Sequence, residues 1–229
     1  MYRQPRYRTR QEAGERLAQA LAEYRGRHAI VLGIPRGGVA VGAPVARALD
    51  AELDVIVLRK IPIPWEPEAG FGAITAEGDV ILNEQMVRRL GLTQEVIRRQ
   101  ANKVRAEVER RGRAYRGDRP FPRLSGRPVI VVDDGMATGY TMIAALRSAR
   151  GRGAEELVCA LPVSPRDSLE AVHPWADRAI CLVVSDEYPF AVASFYQEFP
   201  DLSDDQVRDL LRGARGARDK AAQREQRRG

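Results

Sequence analysis

The stretch PVIVVDDGMATGYTM, residues 128–142, constrains this chain more than any other. Val129 to Val132 are apolar without alternation, the pattern of a short strand covered on both faces, as a central parallel strand is. The run ends on two carboxylates, Asp133 and Asp134, and enters a loop of small and hydroxyl-bearing residues. Gly135 and Gly139 in that loop let a ligand come close to the main chain. Met142, Ile143, Leu146 and Ala149 then recur at helical spacing, so the loop opens a helix. Strand, acidic pair, glycine loop and helix start make an anion site, because free N–H groups and the positive helix end face the ligand. Turn chemistry explains the glycines but not two adjacent acids at the end of a buried strand. A Walker loop needs Gly-Lys-Ser/Thr where Gly139, Tyr140 and Thr141 stand, and the G-x-G-x-x-G fingerprint is absent.

These residues resemble the phosphoribosyl pyrophosphate (PRPP) signature of type I phosphoribosyltransferases, an apolar strand running into two acids and a TGxT loop. The resemblance implies that Asp133 and Asp134 bind the ribose hydroxyls and a metal-bound water. It also implies that the 5-phosphate lies in the backbone of Gly135, Met136, Ala137, Thr138, Gly139, Tyr140 and Thr141, with the hydroxyls of Thr138 and Thr141. The family's reaction displaces pyrophosphate from PRPP with a nitrogen nucleophile, with Mg2+ bridging the diphosphate. Hypoxanthine-guanine members carry a third Asp in the loop as candidate base; this chain has Ala137 there, as adenine-type members do.

Upstream, Thr9 with Glu12 forms a capping box, and Ala13, Leu17, Ala20, Leu21 and Tyr24 predict an amphipathic helix over 10–25. Residues 28–32 read as a first buried strand, ending in GIPRGGVAVG, a second glycine-rich turn before a helix over 39–49. Arg36 with the open backbone of Gly37 and Gly38 suits a diphosphate. The resemblance places the pyrophosphate at this loop, and adenine-type members have a similar Arg-Gly. A second buried strand is predicted over 53–58, ending in Arg59 and Lys60. Adenine-type members carry such a pair with the second cation facing pyrophosphate, which selects Lys60.

Residues 62–127 form an insertion where family members place a mobile loop. The three prolines of IPIPWEPEAG argue against regular structure, and FGAITAEGDVILN reads as a hairpin around Glu77 and Gly78. Thr93 starts a helix to about Arg113 whose stripe Ile97, Ala101, Val104 and Val108 serves core packing or, alternatively, a homodimer contact. Trp65 is open to two readings, a ring stacked on a substrate or an anchor in the core. Glu66 and Glu68 are acid or base candidates if the loop closes. Beyond the main motif, strands over 156–163 and 178–184 flank a short helix with Ser164 as its cap. Strands alternating with helices predict an α/β fold, a parallel sheet with helices on both faces, a hairpin and helix insertion and a small hood; ligands then gather at the carboxyl ends of the strands. Residues 185–203 resemble the hood that closes over the base, with Phe190 and then Tyr188 as the stacking residue. Ser203 with Gln206 caps a final helix that dissolves into the tail.

The net charge of +6 sits mainly in residues 212–229, which carry +5. Residues 1–211, read as one domain, are near neutral, which counts against a nucleic-acid partner. Cys159 and Cys181 lie in apolar runs; a disulfide between neighbouring strands is one reading, and free thiols of a reducing cytoplasm are the favoured one. His28 and His173 offer no zinc site, and neither a membrane span nor a signal core is present in the sequence. The leading reading is a Mg2+-dependent phosphoribosyltransferase acting on PRPP and a small nitrogenous acceptor. Two others stay open: a PRPP-sensing regulator that binds nucleic acid through its tail, and a pocket that hydrolyses another phosphorylated sugar or nucleotide.

Overall fold

The structure is a computed structural model that describes residues 6–226, with side chains as far as residue 216. The chain opens with α1 (Arg10–Ala20), whose cap Thr9 accepts from the Glu12 N–H at 3.3 Å. Glu12 reaches past the cap to the Arg8 N–H, 2.6 Å, and a 3-10 turn at Ala22–Tyr24 replaces the last part of the predicted helix. There follow β1 (Ile30–Gly33), α2 (Gly37–Leu49), β2 (Glu52–Val55), β3 (Leu58–Ile63), β4 (Glu66–Thr75), β5 (Val80–Leu82), α3 (Glu84–Arg89) and α4 (Gln94–Arg116). The second half holds β6 (Pro128–Val132), α5 (Tyr140–Gly151), β7 (Glu156–Pro165), α6 (Arg166–Val172), β8 (Arg178–Ser185) and α7 (Asp204–Gln226).

Five strands make a parallel sheet in the order β2-β1-β6-β7-β8, with β6 at its centre. Every residue of β1 and β6 is buried, as non-alternating apolar runs require. Alternate residues feed opposite faces: Val31, Ile130 and Val132 join the cluster under α1, α2, α4 and α7, while Ile30, Leu32, Val129 and Val131 join the one under α5. Each fully buried Val, Leu or Ile contributes roughly 1.5–3 kcal/mol.

The insertion corrects three expectations. The run over 53–58 is not one strand: β2 ends at Val55, paired with Gly33, and Leu58 begins a separate antiparallel sheet ordered β3-β4-β5. Arg59 and Lys60 therefore stand on a hairpin arm and not at the end of a core strand. IPIPWEPEAG is regular structure after all. Its prolines are tolerated because β3 is an edge strand, Pro62 coincides with register shifts, and Pro67 precedes the part of β4 that pairs with β5. Trp65 sits 63% exposed at the tip between β3 and β4, so it anchors no core. The turn at Glu77 and Gly78 is as predicted, with Gly78 at φ +92°.

Thr93 caps α4, accepting from the Val96 N–H, and Ile97, Ala101 and Val108 pack into the core. At its far end the buried Arg116 binds Asp54 at 2.9 Å and Glu77 at 2.5 Å, joining α4 to the sheet and the hairpin. Ser164 caps nothing: β7 continues through Pro165, and the buried Ser164 hydroxyl donates to the Pro165 carbonyl. Ser203 and Gln206 do form a reciprocal box, 3.2 and 2.8 Å. The helix it starts runs on to Gln226 instead of dissolving, while residues 227–229 of the basic tail lie outside the described residues. Both cysteines are free thiols, and among the described residues no helix is long and apolar enough to cross a membrane.

Candidate active site at the end of the central strand

The central strand delivers Asp133 and Asp134 to the carboxyl edge of the sheet, where the loop after β1 meets them. The Ile34 N–H donates to the Val132 carbonyl at 2.9 Å and ties the two loops together. How closely they approach depends on two glycines. A Cβ on Gly38 would lie 2.3 Å from the Val132 carbonyl oxygen, and one on Gly37 would lie 1.9 Å from Asp134 Oδ2. The glycine pair thus makes room for the acids. The Gly38 N–H is itself engaged by the Ile34 carbonyl, 2.9 Å, which removes it from the open donors expected there. Arg36 is exposed beside them at the N-cap of α2, and no ion pair holds it among the described residues.

The two acids differ in their surroundings. Asp133 accepts from the Asp134 N–H at 2.9 Å, and burial together with the neighbouring Asp134 charge pushes its carboxyl well above the usual carboxylate range. Asp134 has a cation of its own: Arg10, the first residue of α1, donates from Nε to Oδ2 at 2.7 Å. Arg10 also donates from Nη1 to the Pro200 carbonyl at 2.8 Å and lies 3.7 Å over the Phe199 ring. Tyr196 donates its hydroxyl to the Asp134 carbonyl, 2.6 Å, and packs on Tyr7 and Phe199. Sequence reasoning missed Arg10 and Tyr196, since neither belongs to a local motif.

The loop from Gly135 to Gly139 is held from both sides. The buried Met136 donates its N–H to Val163 at 3.1 Å, and the Ala137 carbonyl accepts from Ser168 at 2.6 Å. Gly135 faces Val192 so closely that a Cβ would come to 2.4 Å. Gly139, at φ +78°, is the left-handed N-cap of α5. Thr138, Tyr140 and Thr141 are left exposed around the first turn of that helix, with unpaired N–H groups expected there. The Met136 N–H is not among the available donors.

The remaining candidates lie apart from this cluster or on its margins. Lys60 is exposed on β3 and donates its amine to the Glu68 carbonyl across the hairpin, and Glu66 and Glu68 are exposed on β4. Phe190 is half-buried with its ring 5.5 Å from that of Phe195, whereas Tyr188 is 97% exposed. No group of three or more metal-ligating side chains occurs among the described residues. The acidic pair nevertheless suits Mg2+, which binds through one or two carboxylates plus substrate oxygens. A cation would also offset the burial and the Asp134 charge that push the Asp133 carboxyl up.

A family model described as "Phosphoribosyl transferase domain" matches residues 74–198. A Mycobacterium tuberculosis protein named "Putative phosphoribosyl transferase" is 41% identical over 198 residues, covering 86% of this chain and 44% of its own length. The chain thus spans less than half of that relative. Among solved structures, the TT1426 protein of Thermus thermophilus is 37% identical, with a TM-score of 0.81 over 90% of this chain and 97% of that one. A Neisseria gonorrhoeae protein solved with bound ppGpp shares the fold at 11% identity, with a TM-score of 0.51 over 93% and 98%. The acidic pair, the glycine loop and the parallel sheet that presents them are thus those of a chain that belongs to the phosphoribosyl transferase family.

Proposed function

We propose that this protein transfers the 5-phosphoribosyl group of PRPP to a small nitrogenous acceptor and releases pyrophosphate. The observation that carries the reading is the meeting of three elements at one sheet edge: the acidic pair after β6, the exposed hydroxyls at the start of α5, and the Arg36 loop pressed against Asp134. Ribose hydroxyls on the acids and the 5-phosphate on the helix N-terminus leave the anomeric carbon between them and the Arg36 loop. As the bond to pyrophosphate breaks, positive charge builds on the sugar; the carboxylates stabilise it, and Arg36 neutralises the departing oxygens. Each charge-assisted hydrogen bond contributes about 1.5–3 kcal/mol. Lys60 joins Arg36 at the leaving group by way of the β3–β4 arm, and Glu66 or Glu68 on that arm takes the acceptor proton. Tyr188, fully exposed, is available to stack on the acceptor, whereas the Phe190 ring is already packed on Phe195. Asp133 and Asp134 would hold Mg2+, which supplies charge neutralisation of the diphosphate.

Calorimetric titration with PRPP, with and without Mg2+, tests this on the wild type and on a variant carrying Asp133→Asn and Asp134→Asn. Metal-dependent binding that the double variant loses is expected, and pyrophosphate release across a panel of bases then finds the acceptor. No binding to the wild type would sink the proposal.

A further inference from the structure

We infer that Arg10 is a positioning residue of this site, fixing the Asp134 carboxylate for recognition of a ribose hydroxyl. The inference rests on the PRPP reading and adds a component from outside the motif. The guanidinium of Arg10 is held three ways: Nε on Asp134 Oδ2 at 2.7 Å, Nη1 on the Pro200 carbonyl at 2.8 Å, and its face on the Phe199 ring at 3.7 Å. Such a fork is far more rigid than a surface pair, because its planar group is oriented by two acceptors and a ring. The Arg10 and Asp134 side chains are only 11% and 15% exposed, so water screens the contact little. Gly37 closes on the same oxygen from the opposite loop. Oδ2 thus carries the Arg10 bond and is crowded by Gly37, so the geometry favours Oδ1 as the oxygen that meets a ligand hydroxyl.

The arrangement also joins the hood to the sugar site. Pro200 and Phe199 belong to the segment after the 3-10 turn Val192–Phe195, and Tyr196 of that segment holds the Asp134 main chain. The hood and α1 thus grip the side chain and the backbone of one acid. A lysine at position 10 keeps the charge but loses the fork, since a single amine cannot bond Asp134 and Pro200 in this geometry while lying flat on a ring.

The test compares the affinities of ribose 5-phosphate, 2-deoxyribose 5-phosphate and 3-deoxyribose 5-phosphate by calorimetry in the wild type, Arg10→Ala and Arg10→Lys, with a thermal melt of each. The wild type is expected to prefer the full sugar over at least one deoxy sugar by about tenfold or more. Arg10→Ala should bring that preference close to one while its affinity for the corresponding deoxy sugar phosphate stays within about twofold, and Arg10→Lys should restore little. A selective loss of this kind cannot come from general loosening, which weakens all three sugars together. An unchanged preference in both variants, or an equal loss for all sugars, overturns the assignment of Arg10 and leaves the PRPP reading standing. A wild type that binds none of the three, or binds them equally, refutes the sugar site itself.

Discussion

Replacing Gly37 with alanine displaces the Asp134 carboxylate without straining the backbone. Gly37 begins α2 and has no positive φ, so alanine suits its backbone and even gains helix propensity of up to about 1 kcal/mol. The obstacle is the side chain opposite. The new Cβ would stand 1.9 Å from Asp134 Oδ2 and 2.2 Å from its Cγ, whereas ordinary contact starts at 3.4 Å, so the carboxylate must withdraw by 1.5 Å. Its 2.7 Å bond to Arg10 then opens past hydrogen-bonding range. Losing one charge-assisted bond in the ligand site costs about 1.5–3 kcal/mol, or roughly 10- to 150-fold in PRPP affinity. The melting temperature should fall as well, because the largely buried Arg10 guanidinium is left without its carboxylate. Calorimetry with PRPP beside a thermal melt reads both quantities. Wild-type affinity in Gly37→Ala would show that the position of Asp134 does not matter to binding and would refute the argument.

Two further expectations concern charged groups away from the site. Arg116→Ala strands the carboxylates of Asp54 and Glu77, each below a tenth exposed, and should lower stability by about 3–5 kcal/mol at pH 7 in urea titrations. Burial pushes both carboxyls up and Arg116 opposes that push, so without Arg116 the folded state takes up protons still more readily on acidification than the wild type does; the loss should therefore shrink at pH 5, and an equal loss at both pH values would contradict this. Asp79 behaves oppositely: burial alone would raise it, but hydrogen bonds from Arg152 and Ser148 hold it below its ordinary value. Its contribution is complete above about pH 4 and is lost as pH falls through the folded value. The melting difference between wild type and Asp79→Asn should accordingly stay constant from pH 7 to 5 and close below about pH 4; a gap that persists there would be inconsistent.

What the sequence discloses here is what short range determines. The caps at Thr9, Thr93 and Ser203 are readable because a hydroxyl three residues ahead of an N–H defines the first turn on its own. The central strand is readable because burial on both faces leaves one pattern only. The acidic pair follows from it, since the end of such a strand is the one place where two adjacent carboxylates can reach solvent without breaking the core.

The two misread runs of the insertion share one cause: each depends on which strand lies next to which. Three prolines in ten residues argue against a strand only if both edges need donors. In β3 one edge faces no partner, a fact that belongs to the sheet and not to the segment. The run over 53–58 looks continuous because apolar residues serve two different sheets with no polar residue or glycine between them. Arg10 is the extreme case. It is separated from Asp134 by 124 positions, and as a first-turn arginine it would read as a solvated helix end. Only after α1 packs on α2 does its guanidinium face the acid, so this contact to the motif is one that no local pattern could have shown.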